Sequence, residues 1–315
     1  MKLDYKVCVN LEISSKCNAD CAMCPRELIP QPQVMPERLF RNTLERIGER
    51  DVHRVVLAGY GEPTVHPKFP EFMDAIRTHP CRFDLVTNGS LLSEERLRAL
   101  DGAIDTMIVS FSSVDRSVYE RVHVGLTQSD VMEGIKRAND LLRSTRLAIS
   151  LSPLRPCIDT LPETIDWFRS LGIDALSMSP TVYDRATGAQ VGGMDAPDTR
   201  ELRSVMKDYG LASQEFDFIP SLWQVGKQWL ANRFKCMPRN VDVLISADGQ
   251  YMYCFNDIQH RRRLGHVEEM SLRDALHLRE QSPADPTICD GCSMRGRYGL
   301  GEVSRMLHSY LLGAA

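Results

Sequence analysis

Hydrophobic and polar positions alternate along this chain between two regimes. Short runs rich in β-branched residues read as strands: Lys6 to Ile13 ("KVCVNLEI"), Arg54 to Ala58, Arg82 to Thr87, Ile104 to Ser110, Arg146 to Ser152 and Ile173 to Ser179. Between them the apolar spacing becomes helical. Pro36 can open a helix with Leu39, Phe40, Leu44 and Ile47 on one side, and Ser93 can cap "SEERLRAL" with its acids near the positive helix end. Asp130 to Arg143 carries Val131, Ile135, Ala138 and Leu142 as a buried face. Six strands alternating with helices predict an α/β fold with a parallel sheet, because parallel strands need crossover helices. In such sheets functional groups collect at the carboxyl ends of the strands.

After the sixth strand the pattern breaks into the turn-rich "TVYDRATGAQVGGMDAPDT", followed by helical patterns at Glu201 to Tyr209 and Leu222 to Asn232. A second unit starts near Cys236. Its "VLISADGQYMYCFND" holds an Asp248-Gly249 turn between alternating runs, which predicts a hairpin delivering Cys254, and "SLRDALHL" then reads as a short helix. The expected division is a barrel over 1–180, a linker and helical extension over 181–235, and a second unit over 236–315.

At 315 residues with 43% apolar and 25% charged positions, the chain can bury one large core or a core with a small appendage. A net charge of -4 argues against a broad nucleic-acid footprint and leaves Arg261-Arg262-Arg263 as a local basic spot, read as a solvated turn. No apolar stretch approaches transmembrane length and no charged leader precedes the first strand, so the expectation is a cytoplasmic protein without membrane contact. The ten cysteines are bunched, which fits metal ligation in a reducing compartment better than disulfides.

The first bunch is "SSKCNADCAMCPRE", with Cys17, Cys21 and Cys24 just beyond the first strand. A closed zinc site takes four protein ligands, and this loop offers three thiols with no histidine nearby. A cubane iron–sulfur cluster can be held at these spacings with one iron left for an exogenous chelating ligand. Cys17-x-x-x-Cys21-x-x-Cys24, with Met23 before the last cysteine, resembles the signature of the radical S-adenosylmethionine enzymes. The resemblance implies a partial (β/α)6 TIM-like barrel over Val7 to about Ser179, a [4Fe-4S] cluster and S-adenosylmethionine, the last cleaved by one-electron reduction to a 5'-deoxyadenosyl radical that abstracts a substrate hydrogen. It also implies that Gly59, Tyr60, Gly61 and Glu62 of "GYGEP" arrange the methionyl end of the cofactor, while Asn88 of "TNGS", Ser110 and Ser112 approach its ribose and carboxylate. Read without the resemblance, the glycines are a tight exit turn and the serines are caps.

Cys236, Cys254, Cys289 and Cys292 form the second set. Spacing alone leaves structural zinc and a fully ligated cluster both open. The arrangement resembles the auxiliary-cluster domains called SPASM and, shortened, Twitch, which implies a second [4Fe-4S] cluster. Cys8 and Cys81 are expected to be packing residues. Cys157, beyond the fifth strand, is either a loop thiol without chemistry or a catalytic hydrogen donor, and the neighbouring Arg155 is either solvated or a substrate-binding group.

By resemblance to the family's aminocyclitol dehydrogenases, the leading expectation is oxidation of a secondary alcohol on a small carbohydrate-like substrate in natural-product biosynthesis. An external one-electron reductant such as flavodoxin or ferredoxin would feed it. Two enzymatic alternatives are a radical epimerase of an aminoglycoside or oligosaccharide using Cys157, and a maturase of a ribosomal peptide. Only a few residues precede the first strand, which counts against a leader-binding domain there, although a leader can bind elsewhere. A structural iron–sulfur or zinc protein would explain both cysteine sets but leaves a three-ligand site without purpose.

Overall fold

The strand β1 (Val7–Leu11) fully buries Val7, Val9 and Leu11 on one face and buries Cys8 on the other, the pattern of a central strand with neighbours on both edges and cover on both sides. In a computed structural model, which describes residues 6–152, 154–178, 199–213 and 242–290, it has both. β2 (Val52–Leu57) pairs in parallel on one edge. The sheet continues in parallel through β3 (Phe83–Thr87), β4 (Thr106–Phe111), β5 (Arg146–Leu151), β6 (Leu176–Met178) and the short β7 (Ala212–Ser213). On the other edge of β1 lies β8 (Asp242–Ile245), also parallel, followed by antiparallel β9 (Gln250–Met252) and β10 (Arg263–His266). The described strands form one open sheet in the order β10-β9-β8-β1-β2-β3-β4-β5-β6-β7.

The six expected strands are all present, and the partial barrel is the observed architecture. β8 belongs to the same sheet as the first six strands, where it covers the edge that β1 would otherwise present as bare N–H and C=O groups. The sixth strand is shorter than expected, because Gly172 takes a left-handed turn and Ile173–Ala175 return to the sheet before pairing begins at Leu176. The expected helix at Leu222 to Asn232 and most of the linker lie outside the described residues.

The helices follow their periodicity. α1 (Glu37–Arg46) buries Leu39, Phe40 and Leu44, and Phe40 stacks at 3.9 Å on Phe72 of α2 (Phe69–Ile76). Ser93 caps α3 (Glu94–Leu100) by accepting the Arg96 N–H. Two helices join β4 to β5: α4 (Arg116–Val122), which the periodicity did not signal, and α5 (Gln128–Leu141), which buries Val131, Ile135 and Ala138. Beyond β5 come α6 (Arg155–Ile158) and α7 (Leu161–Ser170), and α8 (Thr199–Asp208) occupies the first expected helix of the extension.

The Asp248-Gly249 turn joins β8 to β9 with Gly249 at φ 78°, and Ser271 caps α9 (Leu272–Gln281), as expected for both. α10 (Pro286–Cys289) ends the described chain. The arginine run is exposed at Arg261 and Arg263, as expected, but it lies against acids rather than standing as a bare basic spot. Arg262 pairs with Asp285 at 3.0 Å and lies over the Tyr253 ring, and Arg263 pairs with Asp248 at 3.4 Å, so neighbouring acids neutralise the spot. Among the described residues no helix is long and apolar enough to cross a membrane.

Candidate active site

The carboxyl ends of β1, β2, β3, β4 and β8 converge on the cysteine loop. Backbone hydrogen bonds hold that loop from three directions. Ser15 and Gln33 exchange bonds through the Ser15 hydroxyl, the Glu62 N–H donates to Lys16 O at 2.9 Å, and the Asp20 and Ala22 N–H groups donate to Val124 O and Val122 O just beyond α4. A turn closes from the Cys24 N–H to Cys21 O at 2.9 Å, and the Arg26 guanidinium bonds Cys17 O and Ala19 O. Cys17, Cys21 and Cys24 are thiols, each partly buried.

Donors already face two of these sulfurs. The Ala19 N–H points at Cys17 Sγ at 3.4 Å, the Asn88 amide lies 3.9 Å from the same sulfur, and His123 Nδ1 lies 3.5 Å from Cys21 Sγ. Burial pushes the Cys21 thiol up to about 12, and the nearby Cys24 and Cys17 sulfurs add to it; burial raises Cys17 too. Held as thiolates, Cys17, Cys21 and Cys24 would repel one another, so a shared cation would be needed to stabilise them. Among the described residues, no group of three His, Cys, Asp or Glu side chains is arranged as a metal site. The donor set itself, three soft thiols in one loop, fits an iron–sulfur cluster.

The "GYGEP" turn leaves β2 pressed against this loop. A Cβ on Gly61 would stand 2.4 Å from both Lys16 O and Ser14 O, so only glycine permits the approach. The buried Glu62 carboxylate accepts from the Thr64 N–H at 3.0 Å, the Thr64 and Thr87 hydroxyls at 2.6 and 2.7 Å, and the Asn88 N–H at 2.6 Å. It thereby locks the β2 and β3 exits together, although burial raises its pKa. Asn88 itself bonds Asn18 Oδ1 at 3.0 Å, which places "TNGS" against the cysteine loop. Ser110 lies within β4 and Ser112 just past its end, where the Ser112 hydroxyl is buried without a partner. The Tyr119 hydroxyl and His123 Nε2 are likewise buried and unpartnered. Such orphaned polar atoms beside a thiol loop fit a site shaped for a polar cofactor.

Two residues here escaped the sequence reading. Glu12, at the exit of β1, is buried and accepts from the Tyr60 N–H at 2.7 Å and the Ala247 N–H at 3.2 Å. It ties the β2 turn to the β8–β9 turn, and burial pushes its carboxyl up to about 7. The signal was an acid inside the apolar run Leu11-Glu12-Ile13. His123, in "RVHVG", is the other. Burial drives its pKa down to about 4, so the ring is neutral.

Cys157 is not an exposed loop thiol. It is buried on α6 against Val122 and Leu154, with Met23 of the cysteine loop packed on the same group, and burial raises it to about 12. Arg155 points elsewhere and makes a two-pronged ion pair with Glu201 at 2.8 and 2.6 Å. Cys8 and Cys81 are buried packing residues, as expected. Of the second cysteine set, Cys254 and Cys289 are half-buried against the main core, and the Asn256 N–H points at Cys254 Sγ at 3.4 Å. Cys236 and Cys292 lie outside the described residues. Tyr60 bridges the two parts of the site, its hydroxyl donating to Phe255 O next to Cys254.

The site is thus a three-thiol loop after the first strand of a parallel sheet, with a glycine turn after the second strand pressed against it. Residues 11–153 match the family model described as the Radical SAM superfamily. The chain is 25% identical over 173 residues to the S-adenosylmethionine-dependent nucleotide dehydratase of Thermoplasmatales archaeon (strain ISO4-H5), covering 51% of this chain and 61% of that protein. Among solved structures, that of Streptococcus suis SuiB bound to precursor peptide SuiA superposes with a TM-score of 0.72 at 16% identity, over 91% of this chain and 66% of that one. BtrN in complex with AdoMet and 2-DOIA gives a TM-score of 0.54 at 17% identity, over 92% and 94%. At these identities the structural likeness is one of fold. It extends past residues 11–153, since the SuiB superposition covers 91% of this chain.

Proposed function

We propose that this chain is a radical S-adenosylmethionine enzyme that abstracts a hydrogen atom from a ribosomally made peptide. The observation that carries the chemistry is the gathering of the Cys17, Cys21 and Cys24 thiols beside the Gly59–Glu62 turn. The substrate class is supported by the fold likeness to SuiB, a protein crystallised with a precursor peptide. When bound, a [4Fe-4S] cluster and S-adenosylmethionine supply a carbon radical that takes hydrogen from an unactivated C–H bond.

In this reading Cys17, Cys21 and Cys24 hold three irons, while the Arg26 bonds to Cys17 O and Ala19 O keep the loop backbone in place. Gly61 lets the β2 turn lie against the loop, Glu62 fixes that turn to Asn88, and Glu12 fixes it to the β8–β9 turn. The methionyl end of the cofactor is assigned to residues 59–62, and its remaining contacts to Asn88, Ser110 and Ser112. Cys254 and Cys289, with Cys236 and Cys292, are assigned a second cluster, and the electron comes from an external reductant such as flavodoxin or ferredoxin.

A second reading, oxidation of a secondary alcohol on a sugar or aminocyclitol, is supported by the likeness to BtrN. Its epimerase variant would use Cys157, whose burial keeps it a thiol. One experiment separates these readings. Anaerobically reconstituted protein, S-adenosylmethionine and reductant are incubated in deuterium oxide with synthetic peptides, aminocyclitols, aminoglycosides and oligosaccharides, and product mass is read. A modified peptide with stoichiometric 5'-deoxyadenosine supports the first reading; an aminocyclitol product two mass units lighter (about 2 Da, one H2 lost) supports the second. An isomer carrying deuterium at an inverted carbon supports the epimerase. Unchanged 5'-deoxyadenosine formation when Cys17, Cys21 and Cys24 are all alanine would remove the radical assignment.

A further inference from the structure

His123 is held more firmly than a residue at a helix end needs to be. Its backbone N–H bonds Tyr119 O at 2.8 Å and its carbonyl accepts the Leu126 N–H at 3.1 Å, while the Tyr119 ring lies 4.7 Å from the imidazole. The residues on either side, Val122 and Val124, accept the Ala22 and Asp20 N–H groups of the cysteine loop. The imidazole is therefore fixed relative to that loop, with Nδ1 3.5 Å from Cys21 Sγ and Nε2 buried without a partner.

We propose that His123 is a positioning residue for the cluster. It donates its Nδ1–H to Cys21 Sγ, orienting that ligand and raising the reduction potential of the iron cluster the loop would hold. A neutral imidazole has one N–H donor and one bare acceptor. A metal-bound thiolate has no hydrogen, so the 3.5 Å contact is a bond only when the proton sits on Nδ1. The opposite tautomer would face a nitrogen lone pair against a thiolate and strand a buried donor at Nε2. Hydrogen bonds to cluster sulfurs stabilise the more negative, reduced state and shift the potential upward. Cys17 has donors in the Ala19 N–H and the Asn88 amide, so His123 gives Cys21 the counterpart from the opposite side of the loop.

The inference rests on the radical S-adenosylmethionine reading, and its test uses readouts other than turnover. In 15N spectra of histidine-labelled protein loaded with the cluster, His123 is expected as the Nδ1–H tautomer; the Nε2–H tautomer would overturn the inference. In reconstituted protein, His123→Leu is expected to move the cluster midpoint potential to more negative values at unchanged iron content. His123→Asn, whose amide N–H can occupy the Nδ1 position, should restore most of the shift, and His123→Gln, which reaches toward Nε2, should not. Equal potentials in the wild type and His123→Leu, or equal shifts in the Asn and Gln variants, would overturn it. Should His123→Leu fail to fold, the Asn and Gln pair still decides. If the wild type takes up no iron, the functional reading fails and the inference that rests on it falls with it, whereas an Nε2–H tautomer in iron-loaded protein overturns the inference alone.

Discussion

Gly61→Ala adds one methyl group where the β2 exit meets the cysteine loop. The new Cβ would stand 2.4 Å from Lys16 O and Ser14 O and 2.6 Å from the Ser15 carbonyl carbon. All three are backbone atoms on the segment leading to Cys17, so no side chain can swing away. Restoring ordinary contact requires a displacement of about 1 Å, which also stretches the bond from the Glu62 N–H to Lys16 O. Overpacking of this kind costs about 1–3 kcal/mol and a lost backbone bond about 1 kcal/mol more. For a chain of this length that lowers the melting temperature by roughly 4–8 °C. The functional cost is expected to be larger, since a 1 Å misplacement of reacting groups can slow a reaction about 100-fold. The assays are calorimetric melting and the rate of reductive S-adenosylmethionine cleavage in reconstituted protein. Gly48→Ala, with nothing within 4 Å of its added Cβ, is the control and should behave as wild type. A Gly61→Ala protein with unchanged melting and cleavage would refute the argument that this contact sets the site.

Two further expectations concern the ties between the halves of the site. Burial raises the Glu12 carboxyl from 4.5 to about 7, so the folded chain holds a proton that the unfolded chain releases earlier. Its stabilising contribution is complete below pH 4.5 and is lost as pH rises to about 7, a range worth on the order of 3 kcal/mol. Glu12→Gln should flatten that part of the stability curve in urea unfolding at pH 5, 6 and 7; an unchanged slope would show that the buried Asp242, also raised to about 7, carries it instead. Tyr60→Phe removes the hydroxyl that bonds Phe255 O, at a cost of about 1 kcal/mol for the lost hydrogen bond. Hydrogen exchange in residues 254–260 should accelerate, and equal exchange would show that the hydroxyl does not hold this loop.

Features decided by neighbours in sequence were legible in the sequence. The strands of the sheet, the buried faces of α1 and α5, the Ser93 and Ser271 caps and the Asp248-Gly249 turn all follow from periodicity, capping and turn chemistry, which act over a few residues. The thiol loop was legible for the same reason, since Cys17, Cys21 and Cys24 lie within one turn-rich segment. What only the tertiary structure decided depends on pairing across long separations. β8 joins the free edge of β1 more than 200 residues away in the chain, and no local pattern states which edge a returning strand will cover. Glu12 stands in the sequence only as an acid inside an apolar strand, and its role appears when the β2 and β8–β9 turns close over it from both sides. Cys157 reads as a loop thiol until α6 buries it behind Met23, and His123, beside a helix that the periodicity did not signal, draws no reading until α4 brings it to Cys21. Burial and register are properties of the assembled chain, because the water they exclude and the partners they supply come from residues that sequence order keeps apart.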